Sequence, residues 1–122
     1  MRHYLLLFSL FVINCNLALA NMTPIVVQNG GAANDHSEYY PPADMPEVYY
    51  DADNLEIIIV ADGFASYYYV DITSASGYVP LISTQIDGYG DSIDVSSLPD
   101  GYYTITITSS NNNQFEGTFY KY

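Results

Sequence analysis

From Glu47 onward the chain alternates apolar and polar positions in short runs rich in Val, Ile, Thr, Tyr and Phe. The runs recur roughly every 8–14 residues with turn-forming residues between them, which predicts an all-β sandwich. Seven strands are expected, at 47–52, 55–60, 67–73, 79–85, 92–96, 102–109 and 114–121. Pro80 marks the fourth as an edge strand, because proline cannot donate to an interior ladder. The turns carry their own chemistry: Asp53-Asn54 tolerates left-handed geometry, Ser76-Gly77 closes a hairpin, Asp100-Gly101 opens the sixth strand, and Asn111-Asn112-Asn113 joins the last two. No window beyond residue 20 holds apolar residues at helical spacing between caps, so helix beyond a single turn is not expected.

Period two then sorts the faces. In the sixth strand Tyr103, Ile105 and Ile107 share the core side, and Tyr102, Thr104, Thr106 and Thr108 the other. In the third, Tyr68, Val70 and Ile72 go inward, leaving Tyr67, Tyr69 and Asp71 outside. Leu55, Ile57 and Ile59 complete the core from the second strand, Phe115 and Phe119 from the seventh, with Val95 and Leu98 between.

The beginning of the chain follows a different pattern. Arg2 and His3 precede an apolar run from Tyr4 to Ile13, and Ala18-Leu19-Ala20 is a small-x-small site. That order predicts a secretory signal peptide over 1–20, cleaved after Ala20. A membrane span needs about 20 apolar residues, and Asn14 and Asn16 interrupt this run early. Cys15 offers an alternative, a lipoprotein anchored there, although Asn14 replaces the small residue that such a signal prefers before its cysteine. Asn21-Met22-Thr23 fits a glycosylation sequon of use only in a eukaryote. Residues 21–45, with Gly30-Gly31, Pro41-Pro42 and Pro46 near them, predict a flexible tether in which only Ile25-Val26-Val27 could form a strand. The organisation expected is therefore signal peptide 1–20, tether 21–45 and sandwich 46–122.

Charge narrows the partners. The 122 residues hold 14 acids against 2 bases, a formal charge of -12. Loss of Arg2 with the signal peptide would take this to -13 and leave Lys121 as the one strong base. A nucleic-acid binder must neutralise phosphates, so that class is excluded, as is docking on anionic lipid. Hydrophobic residues make up 49% of the chain, too many for an acidic disordered tail. The single cysteine permits no intrachain disulfide.

Catalytic chemistry is sparsely represented. After export the chain would keep no cysteine and only His36, which lies in the tether, whereas a Ser-His-Asp site needs a base held in geometry. Acids are plentiful, so a small carboxylate-based hydrolase using a residue such as Asp94 remains a distant alternative. Asp87, Asp91 and Asp94 could offer oxygens to calcium, as could Asp51, Asp53 and Asn54, but neither group has the spacing of a calcium loop and both suit ordinary turns. No cofactor is expected and the chain is read as non-enzymatic.

The 14 tyrosines are the most suggestive feature. In an immunoglobulin-like sandwich the third, sixth and seventh strands lie side by side. Their outer residues would be Tyr67, Tyr69, Tyr102, Tyr120 and Tyr122, interleaved with Thr104, Thr106, Thr118 and Glu116. Tyrosine gives large amphipathic contact area at low entropy cost, which suits recognition. Equally, Tyr–Thr cross-strand pairs stabilise a sheet without further purpose.

The segment Leu98-Pro99-Asp100-Gly101-Tyr102-Tyr103 looks like a tyrosine corner, with Tyr103 bonding back to the turn before its strand. Ile105 stands where an antibody domain would have its cysteine. The stretch from about residue 47 to 122 resembles a family of small exported immunoglobulin-like proteins of unknown function from Bacteroidetes. The shared features are the export signal, the Leu-Ile second strand, the Gly turn before the fourth strand, this L-P-x-G-x-Y turn and the final strand. The turn also occurs in C-terminal secretion-sorting domains and fibronectin-like modules. The resemblance implies a seven-stranded immunoglobulin/fibronectin-like antiparallel sandwich, secreted or periplasmic, and transfers no functional residue. Together these readings predict a binding or structural module contacting a protein at the cell envelope. The alternative is a carbohydrate-binding accessory module, which the absence of Trp disfavours.

Overall fold

The computed structural model describes residues 22–29 and 42–122. Within them the chain forms β1 (Met22–Ile25), β2 (Gln28–Asn29), β3 (Glu47–Asp51), β4 (Glu56–Val60), β5 (Tyr67–Ser74), β6 (Pro80–Asp87), β7 (Gly90–Asp94), β8 (Gly101–Ser109) and β9 (Gln114–Lys121). β3 to β9 fall on the seven runs expected from the alternation. One sheet has the order β1-β3-β4-β7 and the other β2-β9-β8-β5-β6, with every pairing antiparallel. β6 is an edge strand, as Pro80 indicates, and β9, β8 and β5 adjoin one another.

The inner faces follow the period-two reading. Val48, Tyr50, Ile57, Ile59 and Ile93 from one sheet meet Tyr68, Val70, Ile72, Tyr103, Ile105, Ile107, Phe115 and Phe119 from the other, all buried. Val95 and Leu98 close the core between β7 and β8. Phe119 links the aromatic rings of the core: it lies 5.9 Å from Tyr50 across the two layers and 5.6 Å from Tyr103 on the adjoining strand, centroid to centroid. Leu55 departs from the prediction. It is only half-buried and adopts φ 53°, so the left-handed residue of the β3–β4 turn is Leu55 rather than Asp53 or Asn54. Asp51 explains this, because its carboxylate accepts the N–H groups of Asp53 and Asn54 and the Asn54 side-chain amide, fixing the two residues before Leu55.

The N-terminal segment differs more. Residues 22–29, expected within the tether, belong to the sandwich. β1 pairs with β3 in one sheet, and two residues later β2 pairs with β9 in the other. The chain crosses between sheets at Val26-Val27, directly over Gly117. A Cβ on Gly117 would lie 2.8 Å from the Val26 carbonyl oxygen, so the missing side chain is what admits the crossing. Residues 42–46 are likewise packed, as described below. The signal peptide expected over 1–20, Cys15, the sequon residue Asn21 and His36 lie outside the described residues. Among the described residues no helix is long and apolar enough to cross a membrane.

Candidate functional site

The tyrosine-bearing outer face of the five-stranded sheet forms as period two requires, but the rings are not one patch. Tyr102 stands opposite Tyr120 and their rings meet edge to face at 4.8 Å. Tyr122 stacks on Tyr120 at 6.3 Å. Tyr67 and Tyr69 form a second edge-to-face pair at 5.2 Å. Tyr69 is in register with Thr108, six residues along β8 from Tyr102, so the two groups are about 20 Å apart at strand rise. Between them run a row of three threonines, Thr73, Thr104 and Thr118, and a row in which Asp71 and Glu116 flank Thr106. Tyr69 (49%), Tyr102 (66%), Tyr120 (45%) and Tyr122 (59%) are well exposed, whereas Tyr67 is only half-buried.

The Tyr102–Tyr120–Tyr122 group also rims a cleft of about 260 Å³ that reaches past Phe119 to Tyr50 and to Pro24 and Ile25 of β1. This is below the roughly 300–1,000 Å³ of ordinary small-molecule sites, and it is open at the rim. Its floor is fixed by a reciprocal pair: the Tyr50 hydroxyl donates to the Tyr122 main-chain oxygen at 2.9 Å and accepts the Tyr122 N–H at 3.3 Å. Sequence reasoning assigned no role to Tyr50 or β1 here, because β1 was read as tether.

The acids suggested for metal or catalysis are not gathered. Among the described residues no three His, Cys, Asp or Glu side chains are grouped to hold a metal ion. Instead Asp87 accepts the Tyr89 N–H, Asp91 the Ser92 N–H and Asp94 the Ser96 N–H, each at 2.8–2.9 Å. The Asp94 carboxyl is held below the ordinary carboxylate range by that N–H and by the Ser96 hydroxyl. Asp51 serves its turn in the same way.

The one carboxylate at the centre of a network is one that the sequence did not flag. Asp44 is buried, and its oxygens accept from the Ser109 hydroxyl, from Asn113 Nδ2 at 2.9 and 3.1 Å and from Asn111 Nδ2 at 3.3 Å. Its main-chain oxygen accepts the Tyr68 hydroxyl at 2.7 Å. Burial, then the Asp44 and Asp62 carboxylates, push the Tyr68 hydroxyl above the usual tyrosine range. The network ties the 42–46 turn to the β8–β9 turn, which is a structural task. Tyr103 does likewise at the other end of β8, its hydroxyl donating to the Pro99 carbonyl in the geometry of a tyrosine corner. Lys121 is buried, with its ammonium 3.4 Å from Asp100.

No family model matches the chain, and no curated protein matches its sequence. Among solved structures it is similar to the crystal structure of a DUF3244 family protein with an immunoglobulin-like β-sandwich fold from Bacteroides vulgatus. The TM-score is 0.61 at 14% identity, over 83% of this chain and 99% of that one. At that identity the likeness concerns the fold. The chain therefore has an immunoglobulin-like β-sandwich, similar to that of a Bacteroides protein whose family has no assigned function.

Proposed function

We propose that this chain is an exported binding module that contacts a protein at the cell envelope through the outer face of its five-stranded sheet. The observation that carries the reading is the exposed Tyr102–Tyr120–Tyr122 cluster, in which Tyr122 also rests edge to face on the core residue Tyr50 while the Tyr102 and Tyr120 rings face outward. Tyrosines are enriched at protein interfaces because each ring buries area while its hydroxyl stays hydrogen-bonded. The shallow cleft beside them suits an inserted side chain better than an enclosed small molecule. Export rests on the pattern of residues 1–20.

The test uses the chain from residue 21 to 122, exposed to envelope extract of its source, with retained proteins and glycans identified by mass spectrometry. A retained protein that is lost with Tyr102→Ala/Tyr120→Ala, while the circular dichroism spectrum is kept, supports the reading. Retention unaffected by that variant removes it. A cleft lined by Tyr50, Tyr102, Tyr120 and Tyr122 also keeps a carbohydrate ligand open, since aromatic rings stack on sugars. Enriched polysaccharide without protein would favour that second reading. The N-terminal mass of the exported form tests the compartment: cleavage after Ala20 is expected, and a lipidated Cys15 would replace it with an anchored protein.

A further inference from the structure

The five-stranded sheet ends on β6, which among the described residues has no neighbour on its far side. The register shows where its main-chain groups point. The Ser110 N–H donates to the Tyr67 carbonyl at 3.0 Å, and the Ala75 N–H to the Tyr102 carbonyl at 3.1 Å. Both bonds belong to the antiparallel register that also sets Tyr69 opposite Thr108 and Asp71 opposite Thr106. The odd-numbered residues of β5 therefore turn their N–H and C=O toward β8, and Tyr68, Val70 and Ile72 turn theirs toward β6. The β6 partners of those three are Ile86, Thr84 and Ile82. It follows that Ser83, Gln85 and Asp87 direct their N–H and C=O groups off the sheet. Their side chains share the outer face with Tyr67, Tyr69 and Asp71, which stand opposite them.

Natural sheets blunt such edges with short strands, proline, bulges or charge. The other three edges here are blunted: β1 carries Pro24, β2 has two residues, and the five-residue β7 carries Asp91 and Asp94. β6 has eight residues and no basic side chain. Its devices are Pro80 and the irregularity opposite Ile72/Thr73 at its first end and the single charge of Asp87 at its last residue. The stretch from Ser83 to Ile86 is, among the described residues, an open template.

Charge selects the occupant. Asp87 on the edge strand and Asp71 beside it flank the Tyr67–Tyr69 pair. Lys121 is the one Lys or Arg among the described residues, and it is buried against Asp100. Carboxylates and tyrosine faces together receive Lys and Arg side chains, by charge-assisted hydrogen bonds and by cation–π contact. A second copy would oppose -12 with -12, and pairing of two eight-residue strands alone falls short of the ~1,000 Å² that a stable interface needs. We propose that β6 is a docking edge for an extended segment of a basic partner protein, which adds as a further strand and lays Lys or Arg side chains over Asp87, Asp71 and the Tyr67–Tyr69 pair. This rests on the reading of the chain as a protein-contact module and assigns it a mode, strand addition, in which main-chain bonds give affinity and side chains give choice.

The test is amide exchange by NMR on residues 21–122, with a ten-residue peptide alternating Lys with Thr and Val as probe. The Ser83 and Gln85 amides should exchange fast in the free protein and gain at least about tenfold protection with the Lys peptide, an effect absent when Glu replaces Lys. Gln85→Pro removes an N–H that points off the edge, a position where proline is tolerated, and should weaken binding at least about tenfold. Gln85→Ala keeps that N–H and should bind as before. The same peptide with alternate main-chain nitrogens methylated should fail to bind, whatever the behaviour of the proline variant. No protection at millimolar peptide, or equal binding by the methylated peptide, overturns the proposal. So does protection without peptide accompanied by a doubled mass in light scattering, which would make the occupant a second copy. An envelope partner lost with Tyr102→Ala/Tyr120→Ala but kept with Gln85→Pro would preserve the face reading and remove the edge.

Discussion

Asp44→Ala is the most informative single substitution for the fold. The side chain it removes is 4% exposed and gathers three donors from the β8–β9 turn. A net hydrogen bond to a charged group contributes about 1.5–3 kcal/mol, but the three losses are not equal. Asn111 is exposed and Asn113 half-buried, so water recovers most of what they lose. Ser109 is 2% exposed; its oxygen still accepts the Asn111 and Asn113 N–H groups, but its O–H loses its acceptor, which costs about 1–3 kcal/mol. The sum is roughly 2–4 kcal/mol, against a total stability of about 5–15 kcal/mol for a domain of this kind. At about 4–8 °C per kcal/mol, the melting temperature should fall by roughly 10–25 °C. Far-UV circular dichroism against heat and urea reads this, the chain having no Trp. Asp44→Asn, which keeps the shape and one acceptor, should fall between. A loss below about 0.5 kcal/mol for Asp44→Ala, the size of a surface substitution, would refute the view that residues 42–46 are clamped to the sandwich.

The other predictions concern separate joints. Tyr103→Phe should lower stability by about 1 kcal/mol, with the midpoint of urea unfolding moved and its slope unchanged, because only the bond to Pro99 is lost. Gly117→Ala forces a methyl against the Val26 carbonyl and should cost about 1–3 kcal/mol, with hydrogen exchange rising first in residues 22–29. The Tyr68 hydroxyl, raised by burial and then by Asp44 and Asp62, contributes stability that is present below the ordinary tyrosine pKa near 10 and lost as pH rises through its folded value. Tyr68→Phe should therefore flatten the alkaline limb of the stability profile, and an unchanged limb would count against the assignment. The Asp94 carboxyl, lowered by the Ser96 N–H and hydroxyl, works in the opposite sense: its contribution is present above about pH 4 and lost as pH falls, so Asp94→Asn should flatten the acid limb.

The sandwich was legible because its strands are two-sided. Tyr102-Tyr103-Thr104-Ile105-Thr106-Ile107 alternates without a break, and a slip of one residue would bury threonines and expose isoleucines. β1 and β2 were not legible for the same physical reason. They have four and two residues, and the pair is joined by Val26-Val27, which turns from one sheet to the other, so no period survives across the segment. What holds it is Gly117, distant in sequence and carrying no side chain to give a signal. Asp44 was hidden similarly, since Asn111 and Asn113 read as an ordinary turn and Ser109 as the end of a strand. At the candidate site alternation sufficed to place Tyr67, Tyr69, Tyr102 and Tyr120 outside. It could not show that Tyr67–Tyr69 and Tyr102–Tyr120 lie toward opposite ends of the face, because that depends on the β5–β8 register.

The tyrosines divide by their hydroxyls, and the division bears on which of them the fold explains. Tyr50, Tyr68 and Tyr103 are buried, and each donates to a main-chain oxygen in a different segment: Tyr122, Asp44 and Pro99. In a sandwich core without a disulfide these three attach the end of β9, the 42–46 turn and the 99–101 corner, each bond contributing about 1 kcal/mol beyond the burial of its ring. The surface tyrosines have no comparable task. Cross-strand pairing accounts for Tyr102 opposite Tyr120, at about 0.2–1 kcal/mol. Tyr122, past the last residue of β9, packs edge to face on the buried Tyr50 at 5.5 Å, but neither account reaches Tyr78, 98% exposed beside the β5–β6 turn. Neither strand propensity nor packing requires a large ring at Tyr78, where a small polar residue would satisfy the chain equally well. Contact with another molecule gives such a ring a use that the isolated sandwich does not.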